Sequence, residues 1–384
     1  MSGVNGLKRG RLFNVHFLTG LIVLFFSLPA AALPMSFPDN VRGVTFAPIE
    51  ELRLGDVGYG TEPSEQALVE IAKTGATWIS LTPFGRMDNL ETPVIKDYFE
   101  IMAKENDARI QKTAAFARSL GLKVALIPHI WVETGEWRGE IEMKSDAEFE
   151  AWFQEYDRYV LHWAEQAEKM GASLFSIGVE FRSTTNLYEE RWRQTIALVR
   201  SIYSGPITYS ANWDEVETVP FWDALDAIGI NAFWPLADKP GDGYEVMLTK
   251  SSEIAEGLER YYSEWMRPVV FTEFGVKSAA DSALAPWEWP EHCNSLSYDE
   301  DYQAEAYAAV FEVMTANPWF LGAFIWKYFS DPYDETQETR AGFTPKYKSA
   351  ERMLTKWYRA DWPTFSSFNP TLFGILDEPD YFPY

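Results

Sequence analysis

The sequence predicts an α/β chain folded as a (β/α)8 TIM barrel in a single domain, and three observations lead there. Eight short apolar runs recur along the chain, and longer amphipathic stretches separate most of them. The runs are near-continuous in apolar residues, as strands buried on both faces are. The roughly 350 residues left after an N-terminal leader suit one large barrel.

The strand candidates, taken in order, are "RGVTFAP" (42–48), "ATWISLTP" (76–83), "LKVALIPHIW" (122–131) and "SLFSIGVEF" (173–181). They continue with "PITYSAN" (206–212), "AIGINAFW" (227–234), "PVVFTEFG" (268–275) and "LGAFIWKY" (321–328). Each is rich in the β-branched and aromatic residues that pack on a pleated surface. Helical periodicity fills most gaps. Segments 65–75, 107–121 and 146–171 each close on a glycine (Gly75, Gly121, Gly171), the usual helix stop. Segments 190–203, 245–265, 301–317 and 345–358 follow with the same spacing. A doubly wound open sheet would place a glycine-rich phosphate turn after the first strand. Here that turn reads "APIEELRLGDVGYG", without G-x-G-x-x-G. From about residue 359 the chain becomes rich in proline and aromatics and is expected to pack irregularly.

Residues 1–32 read as a secretory signal peptide, leaving a catalytic domain over 33–384. Lys8, Arg9 and Arg11 form a basic start, 17–28 an apolar core, and Ala30, Ala31 and Ala32 a small-residue cleavage site. The expectation is an exported protein, periplasmic or extracellular, with no membrane association after signal removal. A retained anchor is the alternative, since 13–33 could nearly span a bilayer. The single cysteine, Cys293, excludes an intramolecular disulfide and a cysteine-built metal site. A formal charge of −24 repels phosphate backbones and anionic lipids, so nucleic acid is excluded as a partner. A monomer is expected. The 16 Trp and 19 Tyr exceed what packing alone demands, and flat aromatic faces suit sugar rings.

Catalytic groups of such barrels stand at the C-terminal ends of strands. Glu273 interrupts the apolar run 268–275 at that position, and Glu180 ends the fourth strand. Period-two alternation puts Glu180 on the face of Ser176 and Gly178, and Glu273 on the face of Val269 and Phe271. Both would then point to the barrel axis, with Val179 turned to the helices. Two facing carboxylates at one rim are what glycoside hydrolysis requires: one protonates the leaving oxygen while the other attacks the anomeric carbon. The rim adds His129 and Trp131, Asn212 and Trp213, Asn231 and Trp234, and Trp326 and Lys327, amides and indoles that suit a substrate-binding cleft for a polysaccharide or oligosaccharide. No metal and no cofactor are expected. Outside the leader only His129, His162 and His292 remain, without H-x-H or H-E-x-x-H, and no G-x-S-x-G elbow occurs.

The order and spacing of "RGVTFAP", "SIGVEFRS", "INAFWPL", "FTEFGV" and "GAFIWKY" resemble glycoside hydrolase family 113, from about residue 41 to about residue 358. The resemblance implies endo-acting hydrolysis of β-1,4-mannan with retention, Glu180 as acid/base and Glu273 as nucleophile. Two positions depart from the wider clan. Val179 stands where many members have an Asn that holds the sugar 2-hydroxyl. Phe233 and Trp234 stand where many have a Tyr bonded to the nucleophile, so another donor must hold Glu273, or none does. Alternatives are the same mechanism on another β-linked glycan such as a glucan, or a carbohydrate-binding barrel without turnover.

Overall fold

Eight parallel strands close into a barrel in a computed structural model that describes residues 37, 39–50, 55–98, 103–289, 296–333 and 338–362. The leader, His292, Cys293 and the tail beyond 362 lie outside the described residues. The strands are β1 (Val41–Ala47), β2 (Trp78–Leu81), β3 (Phe84–Met87), β4 (Lys123–Leu126), β5 (His129–Val132), β6 (Leu174–Val179), β7 (Ile207–Asn212), β8 (Ile228–Asn231), β9 (Val269–Phe274) and β10 (Phe320–Phe329). The barrel runs β1-β2-β4-β6-β7-β8-β9-β10 and closes on β1, whereas β3 and β5 pair separately.

That small ribbon has a cause in the sequence. Pro83 follows β2 and Pro128 follows β4, and a proline cannot donate to a ladder. The predicted third strand therefore splits at Pro128, and its second half pairs with β3 from Phe84↔His129 to Met87↔Val132. His129 and Trp131 thus ride on an extension of the barrel.

The helices are α1 (Glu62–Lys73), α2 (Ala103–Ser119), α3 (Asp146–Met170), α4 (Arg182–Leu187), α5 (Glu189–Arg200), α6 (Tyr244–Trp265), α7 (Glu300–Met314) and α8 (Ser349–Arg359). Thr61 caps α1 in a reciprocal bond with Ser64, and Ser145 and Asp299 cap α3 and α7. Gly171 ends α3 at φ 61°, the left-handed conformation for which glycine is the usual residue. The β7–β8 connection departs from the repeat. It holds two single 3-10 turns, Val216–Thr218 and Trp222–Ala224, in place of a full helix. Beyond α8 the chain leaves the helix at residue 360, and Trp362 packs back on the core.

The barrel interior is graded. Its floor is an apolar cluster including Val41, Trp78, Leu174, Val270 and Phe324. Above it lie buried hydroxyls in pairs, Ser80 with Thr45 at 3.1 Å and Ser176 with Ser210 at 2.9 Å. Carboxylates come last, at the mouth. Outside the barrel, Trp152, Phe153, Tyr156, Phe181 and Trp192 interlock edge-to-face and stacked beneath the helices. Much of the aromatic excess is therefore core.

Simple alternation does not survive at either carboxylate. In β6, Ile177 packs among the helices and a Cβ on Gly178 would meet Trp192 and Tyr209 on that same side. Val179 turns inward onto the barrel floor, and the register against β7 slips between Ser176 and Val179. In β9, Val269, Phe271 and Phe274 pack outward, Val270 and Thr272 face inward, and the register slips before Glu273. The expected shared faces of Ser176, Gly178 and Glu180, and of Val269, Phe271 and Glu273, are thereby corrected. A β-bulge resets each strand just before its carboxylate, as bulges beside active sites do.

Candidate active site

Glu180 and Glu273 line one cavity of about 740 Å³ at the C-terminal mouth of the barrel. His129, Trp131, Asn212, Trp213, Trp326 and Lys327 line it too, as the sequence predicts. Six tryptophans form part of its wall: Trp131, Trp137, Trp213, Trp287, Trp289 and Trp326. Trp213 and Trp287 stack with centroids 5.5 Å apart. The Lys327 ammonium lies 4.8 Å from the Trp289 ring centroid and 3.1 Å from the buried Glu338 carboxylate. It is thus a compensated charge.

Two predicted cleft residues are placed elsewhere. Asn231 is fully buried beneath the cavity, because β8 alternation turns it inward, where its amide is already engaged. Trp234 packs against Phe271 on the helix side of β9 and borders a separate shallow groove beside α6.

Glu180 closes β6 with φ 55°, a left-handed conformation costing a residue with a Cβ about 1–2 kcal/mol. Its carboxylate collects three donors. Asn231 Nδ2 donates to Oε1 at 2.8 Å, while Trp137 Nε1 at 2.9 Å and Arg138 Nη2 at 3.1 Å donate to Oε2. Asn231 is fixed in turn by Thr272 Oγ1, which donates to its Oδ1 at 2.9 Å.

Glu273 is the drier group. Its Oε1 lies 3.5 Å from His129 Nε2, and both atoms are buried without a hydrogen bond among the described residues. Burial and then the Glu180 charge push the Glu273 carboxyl well above the usual range, opposed by Arg138, Lys327 and the Asn231 amide. Burial, reinforced by Arg138 and Lys327, holds His129 well below its ordinary value, so it is neutral. The Asn231 amide bonded to Glu180 thus also helps to lower the Glu273 carboxyl. Phe233 instead packs with Trp326 and Phe343 in the cavity wall.

Trp137 and Arg138 escaped the sequence reading. They sit in "ETGEWRG" between β5 and α3, a polar stretch without periodicity, and the adjacent indole and guanidinium were their sole signal. A second omission is Glu215, buried two residues beyond Trp213 in what reads as a solvated loop. Its Oε1 accepts from Tyr209 Oη at 2.7 Å and Thr185 Oγ1 at 2.8 Å, and its Oε2 from Asn212 N at 3.1 Å.

Two buried carboxylates in one cavity walled by indoles can transfer a proton and a nucleophile to opposite sides of one bond. Comparisons with known proteins agree with that chemistry. The Glycoside Hydrolase Family 113 profile matches residues 53–348. No curated protein matches the sequence. Among solved structures, the GH113 beta-mannanase from Alicyclobacillus acidocaldarius in complex with ManMIm is 29% identical, covering 83% of this chain and 97% of its own, with a TM-score of 0.71. A complex structure of a GH113 beta-1,4-mannanase is 25% identical over 84% of this chain and 100% of its own, with a TM-score of 0.72. Another GH113 beta-1,4-mannanase structure is 26% identical over 85% of this chain and 100% of its own, also at 0.72. The match over most of the barrel, joined to the two carboxylates at its mouth, shows that this chain belongs to glycoside hydrolase family 113.

Proposed function

We propose that the protein is an exported, retaining endo-β-1,4-mannanase with Glu180 as acid/base and Glu273 as nucleophile. The observation that carries the reading is the placement of two buried carboxylates, Glu180 and Glu273, in one indole-walled cavity at the barrel mouth. Mannan is favoured because the family members compared above are mannanases over nearly their whole length. Export is supported by the basic, apolar and small-residue layout of residues 1–32.

In the first step the Glu180 carboxyl gives its proton to the glycosidic oxygen as the carbon–oxygen bond breaks. A Glu273 carboxylate oxygen bonds to the anomeric carbon from the opposite face, forming a glycosyl ester. In the second step Glu180 removes a proton from water, the resulting hydroxyl attacks the anomeric carbon, and Glu273 leaves as carboxylate. Two inversions leave the configuration unchanged. The step needs a charge on Glu273, which its buried setting opposes. Positive charge developing at the anomeric carbon supplies the missing stabilisation, and the leaving oxygen takes the place of Trp137 and Arg138 at Glu180 Oε2.

One observation favours exchanged roles: donors converge on Glu180, as on a resting nucleophile, while burial favours a proton on Glu273. Reducing-end release from β-mannan, glucomannan, cellulose, mixed glucan and xylan, followed by azide rescue of Glu180→Ala and Glu273→Ala, decides both questions. Release from mannans with a product of retained configuration is expected, with azide giving a β-glycosyl azide from Glu180→Ala and an α-azide from Glu273→Ala. The reverse azide pattern exchanges the roles. Release only from a glucan or xylan overturns the substrate, and an inverted product overturns retention.

A further inference from the structure

We infer that Glu215, acting through Tyr209, is a positioning residue for Glu180. The inference rests on the proposed role of Glu180 as acid/base. The peptide N–H of Phe181, immediately after Glu180, donates to Tyr209 Oη at 2.6 Å, and Tyr209 Oη in turn donates to Glu215 Oε1 at 2.7 Å. A hydroxyl that spends its one proton on a carboxylate keeps its lone pairs for the N–H behind it, so the carboxylate fixes the direction of the relay. The relay ends on the strained turn that carries Glu180 into the cavity, where φ is 55°. The Glu180 N–H adds a bond to Ser210 O at 2.9 Å from the neighbouring strand, so both peptides flanking the acid are tied to β7.

The same carboxylate reaches the neighbouring rim residue, Asn212 at the end of β7. Its Oε2 accepts from Asn212 N at 3.1 Å, and Glu215 N donates back to Asn212 O at 2.9 Å. Thr185 Oγ1 completes the set from α4, the helix that Phe181 opens. One buried group therefore sets the distance between the acid and the next stretch of cavity wall. A fully buried carboxylate is a costly choice for packing alone, and burial pushes Glu215 up to about 7 despite its three donors. No bond joins it to Glu273.

The test compares substrates that need the acid with substrates that do not. Wild type, Glu215→Gln and Tyr209→Phe are assayed on the glycan wild type cleaves and on the dinitrophenyl glycoside of the same sugar, whose leaving group departs with little protonation. Misplacing the acid should lower kcat/KM on the glycan about tenfold to a hundredfold in both variants. On the dinitrophenyl glycoside kcat/KM should stay within about threefold. Equal losses on both substrates, or no loss on either, overturn the inference. Should Glu215→Gln fail to fold, Tyr209→Phe, which removes a single oxygen, decides alone. Azide rescue of Glu180→Ala separately reports whether Glu180 is the acid/base, so a wrong role and a wrong relay give different results.

Discussion

Glu215 should make the protein less stable as pH rises from about 4.5 to 7, and by a computable amount. Its carboxyl moves from an ordinary 4.5 up to about 7 on folding, chiefly because burial penalises the charge. Between those values the folded chain holds a proton that the unfolded chain has released, so the stability slope is negative. Each pH unit of that interval costs 1.36 kcal/mol, giving a loss of roughly 3 kcal/mol that is complete above pH 7 and absent below pH 4.5. Glu215→Gln keeps the shape and removes the titration. The assay is denaturant unfolding of wild type and variant at several pH values across that window, followed by subtraction. Lost hydrogen bonds add a constant offset, whereas the difference should shift in favour of the variant by about 3 kcal/mol as pH rises. A difference that stays flat across the window would refute the reasoning, because Glu215 would then be ionised throughout.

Three further outcomes follow from the site. Asn231→Ala removes the 2.8 Å bond to Glu180 and strips Thr272 Oγ1 of its acceptor, so unfolding should show a loss of about 1–3 kcal/mol and turnover should fall with it. Arg138→Ala removes a positive charge that lowers the Glu273 carboxyl, so the acidic limb of kcat/KM should move to higher pH; a stationary limb would disconnect that carboxyl from it. Trp131 is a wall indole with 39% of its surface exposed and no carboxylate contact among the described residues. Trp131→Ala should raise KM on the polymer roughly fivefold, about 1 kcal/mol of stacking, with kcat held.

The barrel was legible because each strand is a dense apolar run and most crossovers carry helical periodicity with a glycine stop. The carboxylates were legible for a related reason: an ionisable residue ending an apolar run stands out. Their route into the cavity was not. A bulge has no period of its own, so alternation assigned Val179 to the helices when it lines the barrel floor. Arg138 and Trp137 reach Glu180 from a loop 42 and 43 positions away in sequence, and loop geometry leaves no periodic trace. Glu215 was hidden by ordinariness, since an acidic residue in a polar connection is usually solvated. Asn231 was visible but misread. Its position at a strand end suggested a ligand contact, whereas one more step of alternation sends its amide beneath the floor of the cleft.

The two bulges separate what the strands must do for folding from what they must do for chemistry. Below Ser176 and Thr272 the residues obey the two-sided packing rule of a buried parallel sheet, and above them the phase starts afresh. Substitutions in the lower tier can therefore exchange volume with one another without rotating either carboxylate. A one-residue deletion at a bulge would do the opposite: it would draw the carboxylate one position down its strand and out of register with its partner across the cavity. Insertions and deletions in these two strands are thus lesions to which the geometry of the cavity mouth is sensitive, whatever the volume of the floor beneath it.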